Sequence, residues 1–161
     1  MNRDFYLNLH DRFDSDRSRK LIGIIDRFAT GYVFFSFPPV LCYLWYTGYD
    51  RLLRLVAVTL VSFILVSVSR KIIGRKRPYE VLEVTPVLAK DDKGNSFPSR
   101  HVFSAFVIAV SCLHAVPAYA VSAFAAGILI MIIRVIGTVH FISDVIAGMI
   151  LGILAGLVMF L

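Results

Sequence analysis

Two histidines, one aspartate and a set of arginines stand out in an otherwise apolar chain. His140 is followed four residues later by Asp144, and a helix through both would set them on one face. A carboxylate so placed can hold an imidazole N–H, fix the tautomer and stabilise the charge that forms when the ring attacks. His101, beside Ser99 and Arg100, lets a second histidine serve as acid while the first is nucleophile. Arg70, Lys71, Arg77 and Arg134 bring charge and forked donors that match phosphate oxygens. Ser99, at the start of an expected helix, adds a hydroxyl next to free backbone N–H groups, a setting that binds anions. Together these residue types suit the handling of a phosphate group.

The elements that must position them are read from hydropathy. Hydrophobic residues make up 58% of the 161, charged residues only 17%, and the mean hydropathy is +0.75. A soluble domain of this size could not hide so much apolar surface. The apolar residues fall in blocks long enough to cross about 30 Å of hydrocarbon as helix. The expected fold is therefore all-α: a multi-pass transmembrane helical bundle of about five spans plus an N-terminal interfacial helix. Residues 1–27 form a polar, amphipathic N-terminal segment, with the interfacial helix over residues 5–20, and residues 28–161 form the bundle. Too charged for a cleavable signal peptide, the N-terminal segment also lacks an apolar core.

The spans are expected over about residues 28–46 (starting as early as 21), 52–69, 98–116, 118–133 and 140–161. Pro38 and Pro39 should kink the first, and Tyr43, Trp45, Tyr46 and Tyr49 make an interfacial aromatic belt. Residues 70–97 are the one long polar loop, with Pro78, Pro86 and a turn from Lys90 to Asn95. Successive helices alternate direction. The end of the second span, the start of the third, the end of the fourth and the start of the fifth therefore share one membrane face. Every residue of the phosphate-handling set falls there, although the set spans some 75 residues of sequence.

Other features carry less. Lys71, Lys76, Lys90 and Lys93 read first as membrane-surface anchors, and His10 and His114 stand apart from the converging set and read as structural. Cys42 and Cys112 lie in apolar runs without ligand spacing and read as buried small hydrophobes. No pair of carboxylates or His/Cys pattern calls for a metal, and no cofactor is expected. The net charge of +6 sits beside spans, which favours phosphate-bearing membrane lipid over nucleic acid as the acidic partner. Gly148, Gly152 and Gly156 continue the four-residue spacing of His140 and Asp144. Small residues so spaced let helices approach closely in lipid, so the last helix should press this stripe into the bundle rather than form a dimer face.

The residues from Arg70 to Pro78, the run Pro98-Ser99-Arg100-His101, and Arg134-x5-His140-x3-Asp144 resemble the three signatures of the phosphatidic acid phosphatase type 2 superfamily. Those signatures read K-x6-RP, PSGH and SR-x5-H-x3-D, and the resemblance covers about residue 56 to the C-terminus. It implies a metal-independent lipid phosphatase in which His140 is the nucleophile, Asp144 its support and His101 the acid. Arg70, Arg77, Ser99, Arg100 and Arg134 would hold the phosphate, with Lys71 able to share the role of Arg70. Three positions depart from the pattern: Arg70 stands for lysine, Arg100 for glycine and Ile133 for serine. Arg100 is close enough to His101 to reach the phosphate or the next group of the substrate.

The expected substrate is a phospholipid or polyprenyl phosphate: phosphatidate, phosphatidylglycerophosphate or a polyprenyl diphosphate. A phosphotransferase using another acceptor is the alternative, and a non-enzymatic headgroup-binding or transport protein a more distant one. The protein is expected in the cell membrane. Of 17 Lys and Arg residues, only Arg51 and Arg54 fall on the opposite face from the site, which by charge bias alone would make that face cytoplasmic. The resemblance implies an extracytoplasmic site, and phosphate binding accounts for many of the cations, so the outward orientation is preferred.

Overall fold

The computed structural model describes residues 3–88 and 93–161; Lys90, Asp91 and Asp92 of the expected turn lie outside the described residues. Among the described residues seven α-helices follow in order: α1 (Arg3–Phe13), α2 (Asp16–Tyr46), α3 (Leu52–Ile73), α4 (Pro78–Leu82), α5 (Arg100–Ser111), α6 (Pro117–Ile136) and α7 (Ile142–Leu157). Local chemistry sets the breaks. Ser15 is extended and its hydroxyl accepts from Ser18 N at 3.2 Å, an N-cap that starts α2. The single interfacial helix expected over residues 5–20 is thus two helices, and residues 27 and 28 both lie inside α2. Gly74, in the left-handed region at φ 58°, closes α3 as only glycine does without strain. Pro78 and Pro117 occupy first turns, where a missing N–H costs nothing.

The chain is a membrane protein. Among the described residues four segments, those of α2, α3, α6 and α7, are long and apolar enough to cross a bilayer. The third expected span is shorter than its hydropathy suggested. Helix α5 has 12 residues, about 18 Å of rise, and the chain then turns ahead of Pro117. It compensates by burial: Val102, Phe103 and all residues from Ala105 to Cys112 are buried. Helix α5 is the axis of the bundle, packed chiefly against α7, then α6 and α3. Helix α2 continues through Pro38 and Pro39, and Tyr43, Trp45 and Tyr46 are exposed near its end as an aromatic belt requires. Cys112 is buried, whereas Cys42 is exposed on α2, because the outer face of that helix meets lipid rather than protein.

Helix α1 folds over the end of the bundle where the polar residues gather. The Tyr6 hydroxyl accepts from Ile142 N at 3.0 Å, and His10 Nε2 lies 3.0 Å from Thr85 O. His10 is buried and structural.

The contact between α5 and α7 fixes the geometry of everything above it. Gly148, Gly152 and Gly156 are buried and face α5. A Cβ at Gly148 would stand 2.6 Å from Ser99 O, at Gly152 2.7 Å from Phe103 O, and at Gly156 2.6 Å from Val110 Cβ. The stripe therefore packs inward, backbone against backbone. Gly152→Ala should destabilise the fold by about 1–3 kcal/mol through overpacking. Gly23→Ala, with nothing within 4 Å of its Cβ, should be neutral or mildly stabilising by helix propensity. Thermal unfolding of both variants in detergent checks this; equal midpoints would contradict the tight contact.

Candidate active site

The polar residues converge as span counting required, with one change of geometry at the centre. His140 and Asp144 do not share a helix. Helix α6 ends at Ile136, Thr138 takes a positive φ of 56°, and α7 begins only at Ile142. The cause is Asp144 itself: its Oδ2 accepts from Phe141 N at 2.9 Å. A carboxylate that caps the helix there is favoured by the helix dipole, and it fixes Phe141 as the N-cap. His140 is left one residue outside, in the turn between helices.

Even so, the two side chains meet. His140 Nδ1 lies 3.6 Å from Asp144 Oδ2, just beyond hydrogen-bond reach. Ser96 fills the gap. Its hydroxyl donates to Asp144 Oδ2 at 2.5 Å and lies 3.3 Å from His140 Nδ1. All three residues are fully buried. The other carboxylate oxygen accepts from Arg75 Nη1 at 2.7 Å, and the Arg75 guanidinium also sits over the Phe141 ring. His140 Nε2 is buried and has no hydrogen-bond partner among the described residues. Burial pushes the imidazole down to about 4, more than the opposing pull of Asp144 raises it, and Arg77 and Arg134 lower it further. The ring is therefore neutral at pH 7, with one free nitrogen.

The arginines are more committed than their sequence context suggested. Arg70, at the end of α3, donates to Pro98 O at 2.9 Å and to Asn95 O. Arg77 is 1% exposed; its Nε donates to Gly94 O at 3.0 Å and its Nη1 to Val139 O at 3.1 Å. These two side chains tie the segment before α5 to α3 and to the turn bearing His140. Arg134, buried at the end of α6, pairs with Asp26 of α2 through Nε at 3.0 Å and Nη2 at 3.1 Å. A guanidinium has five N–H donors, more than the two bonds named here for Arg70 require.

Ser99 is the N-cap of α5. Its backbone N donates to Asp144 O at 2.9 Å, and its buried hydroxyl has no partner among the described residues. Arg100 is exposed at the next position, 5.5 Å from the Phe63 ring centroid. Arg70, Lys71, Arg77, Lys93 and Arg100 line one cavity of about 510 Å³. His101 lies in a neighbouring cleft of about 210 Å³ that also contains Arg100 and Phe63. The structure thus divides the expected set. Arg70, Lys71, Arg77 and Arg100 face the first cavity, His101 the second, and His140, Asp144 and Ser99 form a buried knot linked to the cavity through Arg77. Arg134 stands behind that knot on Asp26.

Ser96 and Asp26 were missing from the expected site, and Arg75 was given no role in it. Arg75 was visible in the basic run but had no partner to single it out. Asp26, a carboxylate at the edge of a span, carried a signal, because ionisable residues at that depth are seldom idle. A serine in a polar loop carries none.

The description "PAP2 superfamily" belongs to the family model that matches residues 51–161. Two solved structures are similar along nearly the whole chain. The crystal structure of Aquifex aeolicus LpxE aligns with a TM-score of 0.75 and 23% identity, covering 98% of this chain and 93% of that one. The crystal structure of the first transmembrane PAP2 type phosphatidylglycerolphosphate phosphatase from Bacillus subtilis aligns with a TM-score of 0.62 and 23% identity, covering 97% and 90%. At that identity the likeness establishes the fold. No curated protein matches the chain.

Proposed function

The chain belongs to the PAP2 superfamily, and from that membership and the chemistry of its site we propose that it is a metal-independent phosphatase of a lipid phosphate or diphosphate, working through a phosphohistidine. The observation that carries this reading is His140: buried, its Nε2 without a hydrogen-bond partner among the described residues, and its pKa held down by burial and by Arg77 and Arg134. A neutral imidazole with a free nitrogen among cations is an activated nucleophile placed where a phosphate would bind.

In this mechanism Nε2 attacks phosphorus, the N–P bond forms and the P–O bond to the lipid breaks. His101 gives its proton to the departing oxygen. Water then attacks phosphorus, His101 takes the water's proton, and the N–P bond breaks to release inorganic phosphate. Arg70, Lys71, Arg77, Ser99, Arg100 and Arg134 supply donors to the phosphate, and Asp144 stabilises the charged ring of the intermediate. Among the described residues no three His, Cys, Asp or Glu side chains converge as a metal site, and the guanidinium groups supply the positive charge a metal would otherwise bring.

A lipid substrate is supported by the clefts beside the site. The 210 Å³ cleft at His101 shares Val33, Phe34, Phe63 and Ser104 with an apolar groove of about 380 Å³ between α2, α3 and α5. A headgroup at Arg100 and His101 can therefore keep its hydrocarbon in an apolar path. Phosphatidate, phosphatidylglycerophosphate and a polyprenyl diphosphate all fit this form. In this reading the site faces the extracytoplasmic side of the cell membrane.

Purified protein given these lipids should release inorganic phosphate without an added acceptor. His140→Ala should lower turnover by about a thousandfold or more. A variant that keeps more than about a tenth of wild-type activity would remove His140 from the mechanism, and phosphate transfer only in the presence of an acceptor would make the protein a phosphotransferase.

Arg100 bears on substrate choice, because it stands on the wall shared by the cationic cavity and the cleft of His101. Arg100→Gly should lower the ratio of kcat/KM for a diphosphate over a monophosphate lipid by roughly tenfold or more, the scale of one charge-assisted hydrogen bond. An unchanged ratio would mean that Arg100 serves all substrates alike.

A further inference from the structure

We infer that Ser96 is the positioning residue through which Asp144 acts on His140. The inference rests on the phosphohistidine reading above and concerns how the nucleophile is held. Both oxygens of Asp144 are engaged by donors nearer than the ring. Its Oδ1 takes Arg75 Nη1, and its Oδ2 takes both Phe141 N and the Ser96 hydroxyl. The ring nitrogen at 3.6 Å is outside that set.

The hydroxyl decides the tautomer. A serine has one O–H to donate and lone pairs to accept with. Its hydrogen is committed to the carboxylate at 2.5 Å, a charge-assisted bond. Towards His140 Nδ1, 3.3 Å away, the oxygen can only accept. Nδ1 must then carry the ring proton, and Nε2 keeps its lone pair. The order Nδ1–H to Oγ, then Oγ–H to Oδ2, runs in one direction. When Nε2 bonds to phosphorus the ring becomes cationic, Nδ1–H becomes a stronger donor, and both bonds tighten. No proton leaves the chain. When water cleaves the N–P bond, the ring returns to neutral and the bonds relax.

The segment that carries Ser96 is held in place by its neighbours. Ser96 N donates to Arg75 O at 2.8 Å, so the two side chains that grip Asp144 are joined by their own backbones. Arg77 and Arg70 fix the flanking carbonyls of Gly94, Asn95 and Pro98. Ser96 is fully buried.

The test is a set of variants in the purified full chain, assayed for phosphate release and for phosphorylation of the protein. Ser96→Ala should lower kcat roughly tenfold through the loss of a charge-assisted relay, with KM within about twofold of wild type and formation of the phosphorylated protein slowed in proportion to kcat. The double variant with Asp144→Asn should be no slower than Asp144→Asn alone, because both act through one relay. Wild-type kcat in Ser96→Ala overturns the inference, since Asp144 would then reach the ring directly. Losses that multiply in the double variant overturn it as well, since they would make Ser96 a structural residue only. His140→Ala, run in parallel, tests the phosphohistidine mechanism separately: an active His140→Ala protein dismisses both proposals, whereas with an inactive one Ser96→Ala alone decides the relay.

Discussion

A buried carboxylate must be surrounded by donors, and much of the polar end of this bundle is arranged to satisfy Asp144. Leaving a buried charge without its partners costs about 3–5 kcal/mol, so the groups that meet it are drawn together whatever their distance in sequence. The backbone of Phe141 caps it from its own helix, Arg75 comes from the segment after α3, and Ser96 from the loop before α5. The peptide of Asp144 joins the same knot, its carbonyl accepting from Ser99 N. Two chain segments, one after α3 and one before α5, are fixed against the start of α7 by one residue. The same demand places His140, because the cap that serves the carboxylate starts α7 at Ile142 and leaves His140 in the turn before it, buried against the knot.

This knot can form only if α7 lies close enough to α5. The approach is set in the apolar layer, where Gly148 and Gly152 let α7 run against the backbone carbonyls of Ser99 and Phe103. In lipid there is no hydrophobic gain from helix contact, so close packing of small residues carries the association. Packing below and charge satisfaction above therefore act on the same helix pair. The short, largely buried α5 makes this possible: it presents its first turn to the polar cluster and its length to the glycine stripe.

The broad arrangement was legible from hydropathy and spacing alone. Counting spans brought Arg70, Ser99, His101, Arg134, His140 and Asp144 to one face, and the glycine period oriented α7 correctly. Helix ends were less legible. A four-residue spacing is as compatible with a turn followed by a cap as with a continuous helix, so His140 was placed on α7 when it precedes it. The roles of the arginines were simplified for a similar reason. A guanidinium near a phosphate site suggests a ligand contact, yet Arg70 and Arg77 also bind backbone carbonyls and Arg134 binds Asp26. Such bonds depend on where loops pass in space, which no local pattern records. Ser96 escaped notice on the same grounds, since nothing in its type or neighbours distinguishes it from a solvated loop serine.

The central claim is that His140 carries the phosphoryl group, and it is tested most directly by trapping that group. Purified protein is mixed with a lipid it turns over, quenched in alkali within the first turnover, digested and mapped by mass spectrometry. The account predicts an alkali-stable, acid-labile phosphoryl group on the peptide containing His140 and none in His140→Ala. A phosphoryl group on His101 or any other residue, or phosphate release with no labelled peptide at any time point, would contradict it.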